Sequence, residues 1–237
     1  MRSAATRPAA VVVPDAETDA DLAVIACGLR LAEADTPVIV RCSPAFAAVL
    51  TGSGSDRLVA PPSAEGGILL VCGSFVAATT AQLDLLATRR AGVAVTADVR
   101  ALAAADASGE VARLGATARR LIAEHGLAVV ATPRTRDLTL ADAESQRRIA
   151  GALARVAAAV PAGVVVAKGG ITSAVIAREG FAAPVARVVG PIAPGVSLWR
   201  LPGARDLVVV PGNVGSASLL ADVVDAIEHG TDDPQAP

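Results

Sequence analysis

The chain predicts an α/β protein: a largely parallel sheet with helices on both faces. Three observations carry this. Short β-branched apolar runs alternate with longer Ala/Leu/Arg-rich segments of helical spacing, the order of successive β-α-β units. Most of the short runs are apolar at every position rather than at alternate ones, as in strands covered on both faces. The composition is 53% hydrophobic but only 2% aromatic, with no Tyr. A core of small aliphatic side chains needs broad helix-on-sheet contact rather than a few large rings.

In chain order, the apolar runs fall at 10–13, 38–40, 68–71, 93–96, 128–131, 164–167 and 207–210. The helical segments fall at 19–34, 78–90, 109–125, 141–159 and 216–229. Thr18 or Asp19 can cap the first helix, and Ser216 or Ser218 the last, because their oxygens accept from first-turn amides. Both histidines, His125 and His229, stand in Glu-His-Gly endings. An imidazole at the negative end of a helix dipole, followed by Gly126 or Gly230 as the cap, accounts for both. Metal-triad and Ser-His-Asp chemistry then lose most of their footing. From 181 to 201, Pro184, Gly190, Pro191, Pro194 and Gly195 break the alternation and set off two short β-like runs, 185–189 and 196–200. These predict a short β-hairpin near 184–201. The Pro/Ser/Gly-rich stretch 51–67 reads as a linker and 231–237 as a flexible tail.

The formal net charge is −2 and no basic run with interleaved aromatics occurs, which argues against nucleic-acid binding. The long uncharged stretch 66–81 is too interrupted by Gly, Ser and Thr to span a membrane. The N-terminal apolar run is too short for a secretory signal, so the expected location is the cytoplasm. Cys27, Cys42 and Cys72 have neither zinc nor redox spacing and read as buried free thiols.

Three glycine-containing turns each follow a predicted strand and precede a predicted helix: CGSFVAATT at 72–80, KGGITS at 168–173 and PGNVGSAS at 211–218. In a parallel sheet all three lie at the carboxyl ends of the strands, the edge where ligands bind. Glycines admit close backbone approach, and free amides at a helix start attract anions. Thr172, Ser173, Ser216 and Ser218 add hydroxyls, and Lys168, the only lysine in the chain, adds a mobile positive charge. The same residues also serve ordinary turns and caps, so each turn alone reads either way. Lys168 precedes its glycines, which departs from the Walker A order, and no G-x-G-x-x-G occurs. From the residues alone, the three turns point to an anion or nucleotide site.

Together, in this order, the turns resemble those of the four-carbon acid sugar kinase family. The stretches VVVPDAETDADLAVIACGL, VRCSPAFAAVLTG, LVCGSFVAATTAQLDLL, VVAKGGITSAVIAREGF, VVGPIAPGVSLWRL and LVVVPGNVGSASLL carry the resemblance, from 11 to about 227. It implies an ATP-dependent kinase of erythronate, threonate or 3-oxo-tetronate, using Mg2+. It places the nucleotide in a domain spanning 56–230, after a remnant of the sugar-acid domain and linker at 1–55. Carried over by position, Gly73 and Ser74 line the nucleotide site, and Lys168, Gly169, Gly170, Ile171 and Thr172 the phosphates. Gly212, Asn213 and Gly215 close the site, Gly190 and Gly195 lie near base and ribose, and Arg41 meets a sugar-acid carboxylate. The family's Asp-Asp-Leu-Thr-Gly motif, which holds the expected base, has no counterpart here, and RCSPAF replaces the family's Arg-Thr-Ala-x-Ser-Phe. The resemblance therefore implies a separate amino-terminal sugar-binding part and a homo-oligomer. A nucleotide- or anion-binding module without kinase activity is the alternative.

Overall fold

The structure, a computed structural model, describes residues 10–53, 57–203 and 205–229. The chain divides into two compact units, Met1–Asp56 and Arg57–Pro237. Gly230 and the tail lie outside the described residues.

In the first unit, α1 (Asp19–Glu33) starts at Thr18, whose hydroxyl accepts from the Asp21 amide while the Asp21 carboxylate accepts from the Thr18 amide. This reciprocal capping satisfies two otherwise unpaired donors. A second helix, α2 (Pro44–Thr51), has Ser43 as its cap and Gly52 in the left-handed conformation at its end. The sequence reading missed it because 44–51 is nearly uniform in hydrophobicity and shows little helical period. The runs 10–13 and 38–40 form no strands: they have no ladder partner among the described residues, and Val11 and Ile39 are 89% and 98% exposed. β-branched composition favours a strand only where a neighbour supplies the ladder. Cys27 and Cys42, expected to be buried, are exposed in this unit, where Ala26 and Phe46 are the buried residues described.

The second unit is a seven-stranded sheet in the order β2-β3-β1-β4-β7-β6-β5. Its strands are β1 (Ile68–Cys72), β2 (Ala94–Thr96), β3 (Leu127–Ala131), β4 (Val164–Lys168), β5 (Arg187–Ala193), β6 (Val196–Leu201) and β7 (Arg205–Val210). Strands β2, β3, β1, β4 and β7 are parallel, and the β5–β6 hairpin joins the β7 side antiparallel. The predicted α/β class, with its parallel sheet and hairpin, is thus observed. Successive side chains alternate between two cores. Leu69, Val71, Val165 and Ala167 face α4 (Val99–Ala103), α5 (Ser108–His125) and α6 (Ala143–Ala159). Ile68, Leu70, Val164 and Val166 face α3 (Ala77–Arg89) and α8 (Leu219–His229). Each fully buried Val, Leu or Ile contributes about 1.5–3 kcal/mol relative to exposure. Alanines carry the closest contacts, with Ala152, Ala154 and Ala157 on α6 all fully buried. Among the described residues no helix is long and apolar enough to cross a membrane.

After β4 the chain enters α7 (Gly170–Val175), continues into a π-turn, Ile176–Gly180, and packs on the α6 side. Helix α3, after β1, lies on the opposite face. Adjacent strands whose following helices leave to opposite faces open a crevice at their carboxyl ends. Here that crevice lies between β1 and β4.

Candidate functional site

The register aligns the ends of the three central strands. Cys72 of β1 pairs with Lys168 of β4, which pairs with Val210 of β7. The three glycine turns therefore emerge side by side, and they touch. A Cβ built on Gly73 would stand 2.7 Å from the Thr172 Oγ1, so only glycine fits between the first turn and the second. Gly169, at φ +110, would direct a Cβ to within 3.6 Å of the Ser74 Cβ. At Gly212 a Cβ would come within 3.1 Å of the Ser74 Oγ. Ser74 is the hub at which first, second and third turns meet.

Backbone donors dominate the surface of this cluster. Among the described residues, the amides of Gly73, Ser74 and Phe75, of Gly170, Ile171 and Thr172, and of residues 212–218 have no hydrogen-bond acceptor. Gly170, Ile171, Asn213, Gly215 and Ser216 are exposed. A concentration of unpaired N–H groups at one edge makes a positive-potential surface without any cationic side chain. Ser173, though a hydroxyl residue, is turned inward, donating to the carbonyls of Ala167 and Gly169.

Lys168 is fully buried, and its ammonium donates to the Pro211 carbonyl at 2.7 Å, joining the end of β4 to the start of the third turn. Burial holds its pKa below the ordinary lysine value, with the neighbouring Cys72 opposing the shift. Burial likewise pushes the Cys72 thiol up. Both effects are desolvation disfavouring charge. The lysine is thus placed as a strut under the turns, not as a free charge at their surface.

Three side chains absent from the sequence-predicted set complete the cluster. From α3, Thr79 donates to the Gly212 carbonyl at 3.0 Å, and Gln82 Nε2 donates to the carbonyls of Val214 at 3.0 Å and Ser216 at 2.9 Å. Thr79 and Gln82 are three apart, hence on one helix face, and both are fully buried. Two polar residues at helical spacing inside a buried stripe were the signal available in Thr-Thr-Ala-Gln-Leu. Arg134, after β3, donates from Nη1 to the Ser74 carbonyl at 2.8 Å and from Nη2 to the Thr132 carbonyl at 2.8 Å, and lies over the Phe75 ring. Its partner is distant in sequence, so no local pattern announces it.

The hairpin divides its two glycines. β5 runs parallel to β7, so the tip at Gly195 (φ +73) reaches the edge that carries the turns, with a built Cβ 2.5 Å from Val214 Cγ1. Gly190 does not reach that edge: it pairs with Leu198 in the body of the sheet, where its missing side chain admits Val59. There the Val59 amide donates to the Pro191 carbonyl and covers the edge strand. Arg41 belongs to the first unit and is exposed. Among the described residues no three His, Cys, Asp or Glu side chains group to hold a metal.

Residues 69–220, more than half of the chain and all three turns, match the model of a family described as a nucleotide-binding C-terminal domain. The chain belongs to this family. That membership is the one implied by the resemblance to four-carbon acid sugar kinases. Solved structures share the fold of the nucleotide-binding domain chain. A Haemophilus influenzae protein matches with a TM-score of 0.61 and 18% identity, over 90% of this chain and 52% of that one. A Bordetella bronchiseptica domain of unknown function, solved as a domain-swapped dimer with bound citrate, matches with a TM-score of 0.53 and 24% identity, over 88% and 51%. This chain therefore spans about half the length of those structures. No curated protein matches it.

Proposed function

We propose that this chain holds ATP, with Mg2+, at the crevice between β1 and β4, as the nucleotide-binding part of a cytoplasmic kinase of four-carbon sugar acids such as erythronate, threonate or their 3-oxo forms. The observation that carries the reading is the set of unpaired amides on three touching turns at the topological switch point. Phosphoryl transfer asks a protein mainly for positioning and charge stabilisation, and backbone amides supply both to phosphate oxygens. In this reading Gly170, Ile171 and Thr172 cradle phosphates, Gly73 and Ser74 line the crevice, and Gly212, Asn213 and Gly215 close it. Gly195 sets the hairpin tip against the third turn. Among the described residues no three His, Cys, Asp or Glu side chains group as a ready-made cage for Mg2+. The ion would arrive on the phosphates, which is how it commonly binds nucleotide sites.

None of the turn residues is acidic or histidine. The proton of the attacking sugar hydroxyl must therefore pass to a group outside the turns. A separate amino-terminal sugar-binding part supplies it; Arg41, in the first unit, carries the guanidinium suited to a sugar-acid carboxylate. The Bordetella neighbour's domain-swapped dimer supports a homo-oligomeric state. Its citrate, together with the absence of an acidic residue from the turns, favours the second reading: an anion- or nucleotide-binding module without transfer.

Calorimetry with Mg-ATP, Mg-ADP and citrate tests the site. A coupled ADP-release assay with the three sugar acids, with and without the amino-terminal part, tests the kinase. Nucleotide binding with turnover only in the reconstituted mixture is expected. Nucleotide binding without turnover in either mixture selects the module, and no binding of nucleotide at millimolar concentration overturns both nucleotide readings.

A further inference from the structure

The carbonyls of the third turn are held almost continuously from below. Lys168 Nζ takes Pro211, Thr79 Oγ1 takes Gly212, and the two protons of Gln82 Nε2 take Val214 and Ser216, with Gly215 sharing one of them at 3.4 Å. All three donors are fully buried. In a trans peptide the C=O of one residue and the N–H of the next point in opposite directions, and this chain has no cis bond among the described residues. Drawing the carbonyls of 211, 212, 214, 215 and 216 inward therefore turns the amides of 212, 213, 215, 216 and 217 outward. Those amides have no acceptor among the described residues.

We propose that Gln82, with Thr79 and Lys168, is a positioning residue that sets the polarity of the third turn, so that its amides face the phosphate-bearing ligand. This rests on the nucleotide reading above. Gln82 carries most of the weight. With three carbonyls around its terminal nitrogen, only the amide orientation that presents Nε2 to them is possible. That orientation leaves Oε1 buried without a partner. An orphaned buried oxygen on a side chain whose volume an apolar residue would fill marks a residue present for its donor end. Thr79 works the same way one turn earlier on α3, and its hydroxyl oxygen also lies 3.2 Å from the Ser74 Oγ, tying the polarity of the third turn to the first.

The test uses the full chain and the variants Gln82→Met, Thr79→Val and Thr79→Ser. The first two remove the donor at near-constant volume, and the third keeps it. Calorimetry with Mg-ATP is paired with deuterium exchange of the segment 211–222 in ligand-free protein and with urea denaturation. Expected are at least tenfold weaker nucleotide binding for Gln82→Met and Thr79→Val, near-native affinity for Thr79→Ser, and faster exchange at Leu219 and Asp222, which bond the carbonyls of Ser216 and Ser218. If wild type binds Mg-ATP and both donor-less variants bind it equally well, the positioning role is overturned and the nucleotide reading stands. If wild type binds no nucleotide while exchange in 211–222 rises in the variants, the nucleotide reading fails and the control of the turn stands. Unchanged exchange in both variants overturns the positioning role whatever the nucleotide result.

Discussion

Replacing Lys168 by Met separates stability from function in an unusual direction. The ammonium is fully buried, and the Pro211 carbonyl is its one hydrogen-bond acceptor among the described residues. Removing an ammonium from water costs several kcal/mol, while a hydrogen bond to a charged group returns about 1.5–3 kcal/mol. Met fills a similar volume, carries no charge, and leaves the Pro211 carbonyl short of a donor at about 1–3 kcal/mol. These terms nearly cancel, so the expected change in unfolding free energy at neutral pH is within about 1 kcal/mol of zero. The pH dependence fixes the sign of the buried charge. Because the folded pKa is depressed, the unfolded chain binds the proton more tightly than the folded one. Wild-type stability therefore rises relative to the variant as pH climbs through the folded pKa toward the unfolded value of about 10.4. Urea denaturation of both proteins at neutral and alkaline pH measures this, and calorimetry with Mg-ATP measures the loss of affinity expected when the strut is gone. A neutral-pH loss above about 3 kcal/mol, beyond what one orphaned carbonyl accounts for, or a gap that does not change with pH, would refute the reasoning.

Gly73→Ala places a methyl 2.7 Å from Thr172 Oγ1 and is expected to destabilise by about 1–3 kcal/mol. Adding Thr172→Ala removes the colliding atom, so urea denaturation of the double variant should show less than the sum of the two single losses. Arg134→Ala frees the Ser74 carbonyl and should weaken Mg-ATP binding about tenfold by calorimetry, from one lost charged hydrogen bond. Glu110 accepts from Arg113 and from the Asp98 amide. The Arg113 guanidinium foremost holds its pKa below the ordinary glutamate value. Its stabilisation is present above the unfolded carboxylate pKa and is lost as pH falls through the folded one. Glu110→Gln should therefore flatten the acid limb of the stability curve measured by thermal unfolding.

The sheet was legible because its central strands β1, β3 and β4 are almost entirely apolar and helices α5, α6 and α8 carry a clear period. The first unit was legible only in α1 and its Thr18 cap. The runs 10–13 and 38–40 have the composition of strands, but composition does not supply a ladder partner. The site was legible in its glycines, because glycine marks close approach: Gly73 against Thr172 and Gly212 against Ser74 are contacts that any Cβ would disturb. Gly190 shows the limit of that inference, since its close approach is to Val59 on an edge strand. The turn-holding side chains were hidden for a different reason. Thr79 and Gln82 bond carbonyls more than a hundred residues away, and a carbonyl carries no side-chain identity for a motif to record.

The single lysine joins these threads. Read along the chain, it stands ahead of two glycines and looks like a charge for phosphate. Folded, it points to the α3 side between Cys72 and Val210 and anchors the peptide on which the third turn begins. A cation at the surface of the site would attract anions at long range and lose strength with salt. A buried cation that orients peptide dipoles acts only at contact, through amides whose charge does not titrate. Affinity built this way should vary little with ionic strength, once the salt dependence of nucleotide and Mg2+ association is subtracted by measuring the same complex in solution. A calorimetric titration at low and high salt that showed a steep fall would instead put a mobile cationic side chain, Arg134 before any other, in direct contact with the ligand.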